Sequence, residues 1–192
     1  VVCSDTTVYS TVQFRTPCVP ITHEQLPYTY GFEDATGSGS AHPLSPCWAK
    51  GTNYTTAYPY PTTGYRHSGS YSLYYYYTGS TYSAWACMPQ FEDSINTLQV
   101  GFWLYNPSTS YVGRMRVGVM SDPTDITTFE EITNVAPSAV STWQYFEVPL
   151  GSYHGDGGRI AFVTNHPEAG DPYTYSYVYL DDVTVMEIPA CP

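Results

Sequence analysis

Two short segments, far apart in the chain, carry the acidic residues best placed for chemistry. They are Tyr30-Gly-Phe-Glu-Asp34 and Val178-Tyr-Leu-Asp-Asp-Val-Thr-Val185. In a strand, Asp181 shares parity with Val183 and Val185, so alternation predicts that it points toward the core. A buried carboxylate without a partner is costly, and no Lys or Arg lies near Asp181 in the sequence. This predicts a calcium ion, which takes about six to eight oxygen ligands. Hydrogen bonds from backbone amides are the alternative.

The second chemical feature is the supply of aromatic rings, above all 21 Tyr. Sugar rings stack on aromatic faces while polar neighbours reach their hydroxyls. The pattern indicates a sugar platform, with the predicted loop residues Tyr58, Tyr60 and Trp85 as candidate ligand contacts. Rings such as Tyr75 and Trp103 are explained as well by the core or by cross-strand pairs.

Catalysis finds little support in the sequence. It contains no G-x-S-x-G, no H-E-x-x-H and no Gly-rich phosphate loop. Glu130-Glu131 and the pair Asp122 and Asp125 are carboxylates of the kind that glycosidases use, but they lie in a polar stretch that is predicted to be an exposed loop. His154, in Tyr-His-Gly-Asp-Gly-Gly, is interpreted as a turn residue. The prediction is that the chain is not an enzyme.

The cysteines show neither a C-x-x-C motif nor a His at metal spacing, which argues against zinc. Their odd number leaves at least one thiol free or paired outside the chain. Bridges Cys18–Cys191 and Cys47–Cys87 are conceivable, and reduced, half-buried thiols are the alternative. The five cysteines are Cys3, Cys18, Cys47, Cys87 and Cys191.

Charge excludes some partners. With 17 Asp and Glu against 6 Lys and Arg, the net charge is −11, and the cations form no run or stripe. A phosphate backbone would be repelled, so nucleic acid is excluded as a partner. No apolar run approaches the roughly 20 residues that span a bilayer, which predicts no membrane insertion. The start at Val-Val-Cys, without a signal peptide, predicts a piece cut from a longer precursor.

Helical periodicity is nearly absent, whereas short runs rich in Tyr, Thr and Val recur between turn-forming residues. This pattern predicts an all-β fold, a two-sheet antiparallel β-sandwich of the jelly-roll type. The shared parity of Leu98, Val100, Phe102 and Leu104 predicts a strand with one face in the core. The predicted strands are 8–16, 28–34, 70–77, 81–88, 97–105, 112–120, 143–149, 158–164 and 175–186.

Residues 1–20 differ from the rest of the chain. They contain one strand that ends in Pro-Cys, followed by the linker-like Val-Pro-Ile-Thr. They resemble the last strand of an upstream fibronectin-III-like repeat, which would leave 21–192 as the main domain. Alternatively, they supply an edge strand to the sandwich.

Four short motifs carry a resemblance to a known family. In chain order they are Phe32-Glu33, Cys47-Trp48, His67-Ser-Gly-Ser-Tyr-Ser-Leu73 and Leu180-Asp-Asp-Val183. With this order and spacing, residues 26–188 resemble the MAM-like jelly-roll domains, which include cleaved-adhesin and choice-of-anchor-J modules of bacterial surface proteins. The layout is also similar to that of calcium-containing carbohydrate-binding modules.

The resemblance implies a structural calcium ion between the first and last strands. Glu33 matches the ligand after the opening Phe, and Asp181 matches the first Asp of the closing pair. The turn that contains Ser68 lies where the family supplies main-chain oxygens. Asp34 is an additional candidate ligand without a firm family counterpart.

Motifs and composition together predict a non-catalytic module of a secreted or cell-surface bacterial protein. Its expected partner is a glycan or an extracellular protein, beside flanking domains of the parent chain. The alternative is a structural spacer or assembly domain without its own ligand, and a polysaccharide-active enzyme is a weaker one.

Overall fold

The computed structural model describes residues 18–45, 47–53, 59–78, 83–109, 113–164 and 175–189, with the side chains of 77, 78, 175 and 176 left out. In this part of the chain none of the helical turns is long and apolar enough to cross a membrane. The strands are β1 (Tyr28–Tyr30), β2 (Ala49–Thr52), β3 (Tyr60–Thr62), β4 (Ser72–Thr78), β5 (Ala84–Cys87), β6 (Leu98–Tyr105), β7 (Met115–Met120), β8 (Phe129–Val135), β9 (Trp143–Pro149), β10 (Arg159–Thr164) and β11 (Tyr175–Glu187), and 3-10 turns cover His23–Gln25, Ile95–Thr97 and Ile126–Thr128.

The strands form two antiparallel sheets. The six-stranded sheet has the order β3-β4-β11-β6-β9, and β1 pairs with the end of β11. The five-stranded sheet has the order β2-β5-β10-β7-β8. The two-sheet antiparallel sandwich predicted from the sequence is therefore confirmed.

The core lies between the inner faces of the two sheets. Leu98, Val100, Phe102 and Leu104 of β6 are fully buried, as their parity predicts. The ring of Phe102 meets that of Phe162 from β10 edge-on at 5.1 Å between centroids, which joins the two sheets. Burial of alternate residues leaves the other half of each strand on an outer face.

A β-bulge in β11 reverses this alternation at the acidic pair. Val178 and Leu180 face the core before the bulge, and Val183 and Val185 face it afterwards. The register shifts between Asp181 and Thr184, and Asp182 has a φ of 45°. Asp181 precedes the bulge, so it keeps the outward parity of Tyr179 and lies opposite Trp103. The residue that the bulge adds returns Val183 and Val185 to the core side. The prediction that Asp181 points toward the core is wrong.

Three strands were not expected from the sequence. The strands β2 and β3 are short and contain Gly or Pro, and β8 contains Glu130 and Glu131. The prediction of an exposed loop at these two glutamates is wrong, because β8 pairs with β7 along its length. Strand β8 is the edge of its sheet, where charged residues are tolerated because they face solvent.

The described cysteines contain one disulfide, between Cys18 and Cys47. The conceivable bridges to Cys191 and to Cys87 are therefore wrong. The thiol of Cys87 is buried and free, and burial raises its pKa to about 12. Residue Ile21 exchanges backbone bonds with Gln90 and Glu92, so the chain joins the sandwich directly after Cys18. The predicted strand 8–16 lies outside the described residues.

Candidate functional site

Aromatic side chains cover the outer face of the six-stranded sheet. Alternation places the rings of β6 and β9 outward, in the cross-strand pairs Trp103 with Tyr145 and Tyr105 with Trp143. Strands β3, β4 and β11 contribute tyrosines in the same way, and the turn after β3 adds two further rings. We call the following set the aromatic face: Tyr60, Tyr65, His67, Tyr74, Tyr76, Trp103, Tyr105, Trp143, Tyr145, Tyr177 and Tyr179.

The rings form one continuous row across the sheet. Neighbouring strands lie about 4.8 Å apart, so five strands carry a surface roughly 20 Å wide. Along this row, from β3 to β9, the centroid distances are Tyr60–Tyr74 5.1 Å, Tyr74–Tyr179 4.7 Å, Tyr179–Tyr65 5.1 Å, Tyr65–Tyr105 4.5 Å, Tyr105–Trp143 5.3 Å, Trp143–His67 5.7 Å, His67–Trp103 3.9 Å and Trp103–Tyr145 5.5 Å.

Two rings of the aromatic face are exposed to an unusual degree. Tyr145 is 47% exposed and Tyr65 is 45% exposed. The ring of Tyr145 lies directly over Gly101 of β6, where any Cβ would overlap it. A glycine at this position lets the ring lie across the sheet instead of standing upright, with its other side toward solvent.

Apart from His67, the aromatic face consists of tyrosine and tryptophan rings, and it is rich in hydroxyl groups. Burial raises the pKa of Tyr74 and raises that of Tyr179 to about 12, so both hydroxyls stay protonated near neutral pH. At one border the Tyr145 hydroxyl donates to Glu147 at 3.4 Å. Such a surface offers apolar ring faces together with hydrogen-bonding groups.

Next to the aromatic face, Asp181 is fully buried, at 0% exposure. Its Oδ2 accepts from the backbone N–H of His67 at 2.7 Å and of Ser68 at 3.3 Å. Its Oδ1 accepts from the N–H of Asp182 at 2.8 Å. Burial raises the pKa of Asp181 to about 6, although the three N–H donors oppose the shift.

The residues His67 and Ser68 belong to the turn 66–71, and Glu33 binds the second half of this turn. Its two oxygens accept from the backbone N–H of Ser70 at 2.8 Å and of Tyr71 at 2.9 Å. Gly69, directly before Ser70, has a φ of 57°, and a Cβ there would overlap the Glu33 carboxylate. Only glycine fits this close approach without strain.

The third carboxylate, Asp182, contacts side chains of the turn. Its Oδ1 accepts from the Ser68 hydroxyl at 2.8 Å, and its Oδ2 lies 2.6 Å from Nδ1 of His67. Asp34 is directed elsewhere and accepts from the Tyr30 hydroxyl at 2.6 Å.

The predicted calcium ligands are thus partly brought together. Glu33, Ser68 and Asp181 meet at the turn, whereas Asp34 binds Tyr30. Among the described residues, no three His, Cys, Asp or Glu side chains form a group that would hold a metal. The donor atoms are the hard oxygens that calcium prefers, but N–H groups already approach Asp181 and Glu33. The calcium ion stays a prediction.

The predicted ligand contacts fall in different places. Tyr60 belongs to the aromatic face but lies in strand β3, so its description as a loop residue is wrong. Tyr58 lies outside the described residues. The description of Trp85 as a loop residue is wrong, because it lies in β5 with 4% exposure. The sequence prediction did not single out Tyr145, and its shared parity with Trp143 was the available signal.

The carboxylate pairs considered for catalysis have structural partners. Asp122 accepts from the N–H and hydroxyl of Thr124, and Asp125 does the same for Thr127. Glu131 accepts from Arg116 at 2.6 Å. A recess of about 430 Å³ at one end of the sandwich is lined by Glu92, Asp93, His154 and Asp156, among others.

Comparison with known proteins identifies the fold. No protein-family model matches the sequence, and no curated protein does. The K1 cleaved adhesin domain of Lys-gingipain from Porphyromonas gingivalis W83 matches with a TM-score of 0.60 at 16% identity, over 84% of this chain and 98% of that one. The K2 cleaved adhesin domain of Lys-gingipain matches with a TM-score of 0.61 at 13% identity, over 83% and 98%.

A carbohydrate-binding module shares the architecture too. The CBM22-1 xylan-binding domain of Xyn10C from Paenibacillus barcinonensis matches with a TM-score of 0.50 at 13% identity, over 85% of this chain and 95% of that one. At such identities the likeness shows a common β-sandwich fold. Membership in the MAM-like or choice-of-anchor-J families stays a prediction.

Proposed function

We propose that this chain is a non-catalytic binding module of a secreted or cell-surface bacterial protein, and that its aromatic face binds uncharged glycans. The observation that carries the proposal is the row of contacting aromatic rings across the six-stranded sheet, with Tyr65 and Tyr145 nearly half exposed at 45% and 47%. Most of the other rings are partly exposed, and apolar surface that is grouped on one face in this way supports an interaction site.

The chemistry of the face favours sugars. A pyranose ring stacks its C–H groups on a flat aromatic ring and exchanges hydrogen bonds with neighbouring polar groups. Tyrosine hydroxyls and the Glu147 carboxylate lie among or beside the rings. The net charge of −11 disfavours polyanionic ligands, so neutral polysaccharides are the expected class.

Two further findings support the proposed place of the module in an extracellular protein. The Cys18–Cys47 disulfide is a feature of oxidising compartments outside the cytosol. The structural neighbours include cleaved adhesin domains and a xylan-binding domain. Both agree with an accessory module that works beside flanking domains of a larger extracellular chain.

Affinity gel electrophoresis tests the proposal. Native gels would contain arabinoxylan, mixed-linkage β-glucan or galactomannan, with polygalacturonate as the anionic comparison. We expect at least one neutral polymer to retard the domain, and Tyr145→Ala and Tyr65→Ala to abolish the retardation with unchanged circular dichroism. Phe129→Ala, on the opposite sheet, is the matched control. If no neutral polymer retards the domain, or if the variants bind like the unchanged protein, the proposal is wrong.

A structural calcium ion is a separate part of the proposal. An ionised carboxylate has about four lone-pair sites, and the hydrogen bonds to the turn use two of those on Glu33 and two of those on Asp182. Oδ1 of Asp182 and Oδ1 of Asp181 both lie near Gly31. Remaining carboxylate sites, together with main-chain carbonyls, are the ligands that would hold the ion. Its expected effect is to stabilise the junction of β1 and β11.

A further inference from the structure

The turn formed by residues 66–71 lies between the three carboxylates and the aromatic face. Four of its backbone N–H groups, from His67, Ser68, Ser70 and Tyr71, donate to Asp181 or Glu33. Two of its side chains, His67 and Ser68, contact Asp182. Charge-assisted hydrogen bonds of this type are the strong ones, so the turn is held at both ends and in the middle.

The bulge in β11 makes this arrangement possible. Consecutive strand residues normally point to opposite faces, but Asp182 has a φ of 45° at the point where the register shifts. Both Asp181 and Asp182 can therefore reach the same turn. An aspartate tolerates this left-handed conformation better than most residues do.

The side chain of His67 extends from the turn onto the aromatic face. The imidazole of His67 lies flat on the indole of Trp103, with 3.9 Å between centroids and an interplanar angle of 15°. It also meets Trp143 edge-on at 5.7 Å. The side chain is 29% exposed, and in the row it connects the Trp103–Tyr145 pair to the Tyr105–Trp143 pair.

We propose that Glu33, Asp181 and Asp182 are positioning residues for the aromatic face. They fix the turn 66–71 so that His67 covers Trp103 and forms the central flat ring of the surface. The inference rests on the proposed function for its consequence, which is that these carboxylates set the affinity for a glycan without contacting it. The position of His67 itself can be measured without any ligand.

Preorganisation gives the physical reason for an effect on binding. A ring that must be ordered when the ligand arrives costs conformational entropy at that moment, whereas a ring already fixed does not. Without the carboxylates, His67 can leave Trp103, and the row loses its continuity between two of its pairs. Glycan affinity then falls although every contacting ring is still present.

Glu33→Ala is the sharpest variant, because Glu33 is exposed and its loss removes two acceptors from the turn. Asp34→Ala is the matched control. The Asp34 carboxylate is next to Glu33 in the chain but accepts from the Tyr30 hydroxyl, and among the described residues no hydrogen bond joins it to the turn. Glu33→Gln keeps one acceptor and serves as the conservative variant. Ser68→Ala, which removes only the bond to Asp182, is the second probe if Glu33→Ala fails to fold.

The readout is the pair of imidazole C–H signals of His67 in a ¹³C–¹H correlation spectrum, assigned with His67→Ala. Stacking on Trp103 shifts them upfield by ring current. We expect this shift to be lost in Glu33→Ala, reduced in Glu33→Gln and Ser68→Ala, and retained in Asp34→Ala. Affinity for the retarding polysaccharide should fall roughly tenfold in Glu33→Ala, the cost of leaving one side chain unfixed.

Failure of this inference is distinguishable from failure of the proposed function. If the unchanged domain binds no polysaccharide, the proposed function is wrong. The positioning role is then tested by the chemical shift of His67 alone, and loss of the upfield shift in Glu33→Ala supports it. An unchanged His67 shift in folded Glu33→Ala overturns the inference. So does a lost shift with full affinity for a polysaccharide that the unchanged domain binds.

Discussion

The outer faces of the two sheets are built alike but differ in how far their aromatic rings are exposed to solvent. On each, an aromatic ring lies across a glycine of the neighbouring strand: Tyr145 over Gly101 in the six-stranded sheet, and Trp85 over Gly51 in the five-stranded sheet. Tyr145 is 47% exposed, and Trp85 is 4% exposed. Strand alternation places both rings outward, so it does not explain the difference.

The difference comes from what covers each face. Trp85 packs with Cys87, Met120, Ala161 and Val163 in a small apolar cluster. The segment between β7 and β8 closes over it, and the Trp85 indole N–H donates to the carbonyl of Pro123 at 3.0 Å.

That covering segment is ordered by its own side chains. Hydroxyl and backbone N–H groups of Thr124 and Thr127 bind Asp122 and Asp125, and Ile126 packs on the cluster. The five-stranded sheet therefore uses its outer face for stability. The exposed rings of the six-stranded sheet need another explanation, which the proposed glycan binding would supply.

The largest expected contrast is between the two rings themselves. Trp85→Ala should lower the free energy of unfolding by about 3 to 5 kcal/mol, the usual cost of truncating a buried Trp. Tyr145→Ala should lower it by less than about 1 kcal/mol because the ring is half exposed. Urea unfolding followed by circular dichroism measures both. Equal destabilisation by the two changes would break the comparison.

Calcium removal should destabilise the protein through the six-stranded sheet, where the proposed ligands lie. If the ion is present at about 100 times its dissociation constant, it contributes about 2.7 kcal/mol to folding. We expect EDTA to lower the melting temperature and added calcium to restore it, with magnesium as the control ion. An unchanged melting curve in EDTA would mean that the N–H donors alone support Asp181.

The two glycines offer a matched pair of small changes. In Gly51→Ala the new methyl group overlaps the Trp85 ring, which the covering segment prevents from moving, so a loss of about 1 to 3 kcal/mol is expected. In Gly101→Ala the ring of Tyr145 can lift toward solvent, so stability should change little while polysaccharide retardation weakens. Reversal of this order, measured by urea unfolding and affinity gels, would refute the account of the faces.

Alkaline pH should lower the stability of the folded protein through the tyrosine-rich sheet, and this is the smallest of the expected effects. Burial raises the pKa of Tyr74 and of Tyr179 above the unfolded value near 10, to about 12 for Tyr179. The folded state then holds protons that the unfolded chain has lost, so stability is full below pH 10 and falls as the pH rises toward 12. Urea midpoints at pH 8, 10 and 11 measure this, and Tyr74→Phe should flatten the decline.

Much of the fold follows from alternation in the sequence. The strand at 143–149 is predicted residue by residue, and the apolar parity of β6 places Leu98 to Leu104 in the core as observed. Strands β2, β3 and β8 were missed because glycine, proline or charged residues interrupt the pattern, and their pairing with a neighbouring strand decides their conformation.

The candidate site was less predictable, for two physical reasons. Parity could not reveal the bulge at Asp182, so Asp181 was placed among the core valines, although it lies under the turn 66–71 on the outer side. Nor could parity show which outward ring becomes covered, since that depends on the segment that binds Trp85. The Cys18–Cys47 bridge likewise reflects proximity in the fold and not similarity of local sequence.

The most direct test of the central claim is a ¹³C–¹H titration of the aromatic signals with a soluble oligosaccharide of the polymer that retards the domain. We predict saturable shifts at Tyr65, His67, Trp103 and Tyr145, with Trp85 and Phe129 unmoved. Saturable shifts confined to residues elsewhere, with the aromatic face silent, would contradict the account.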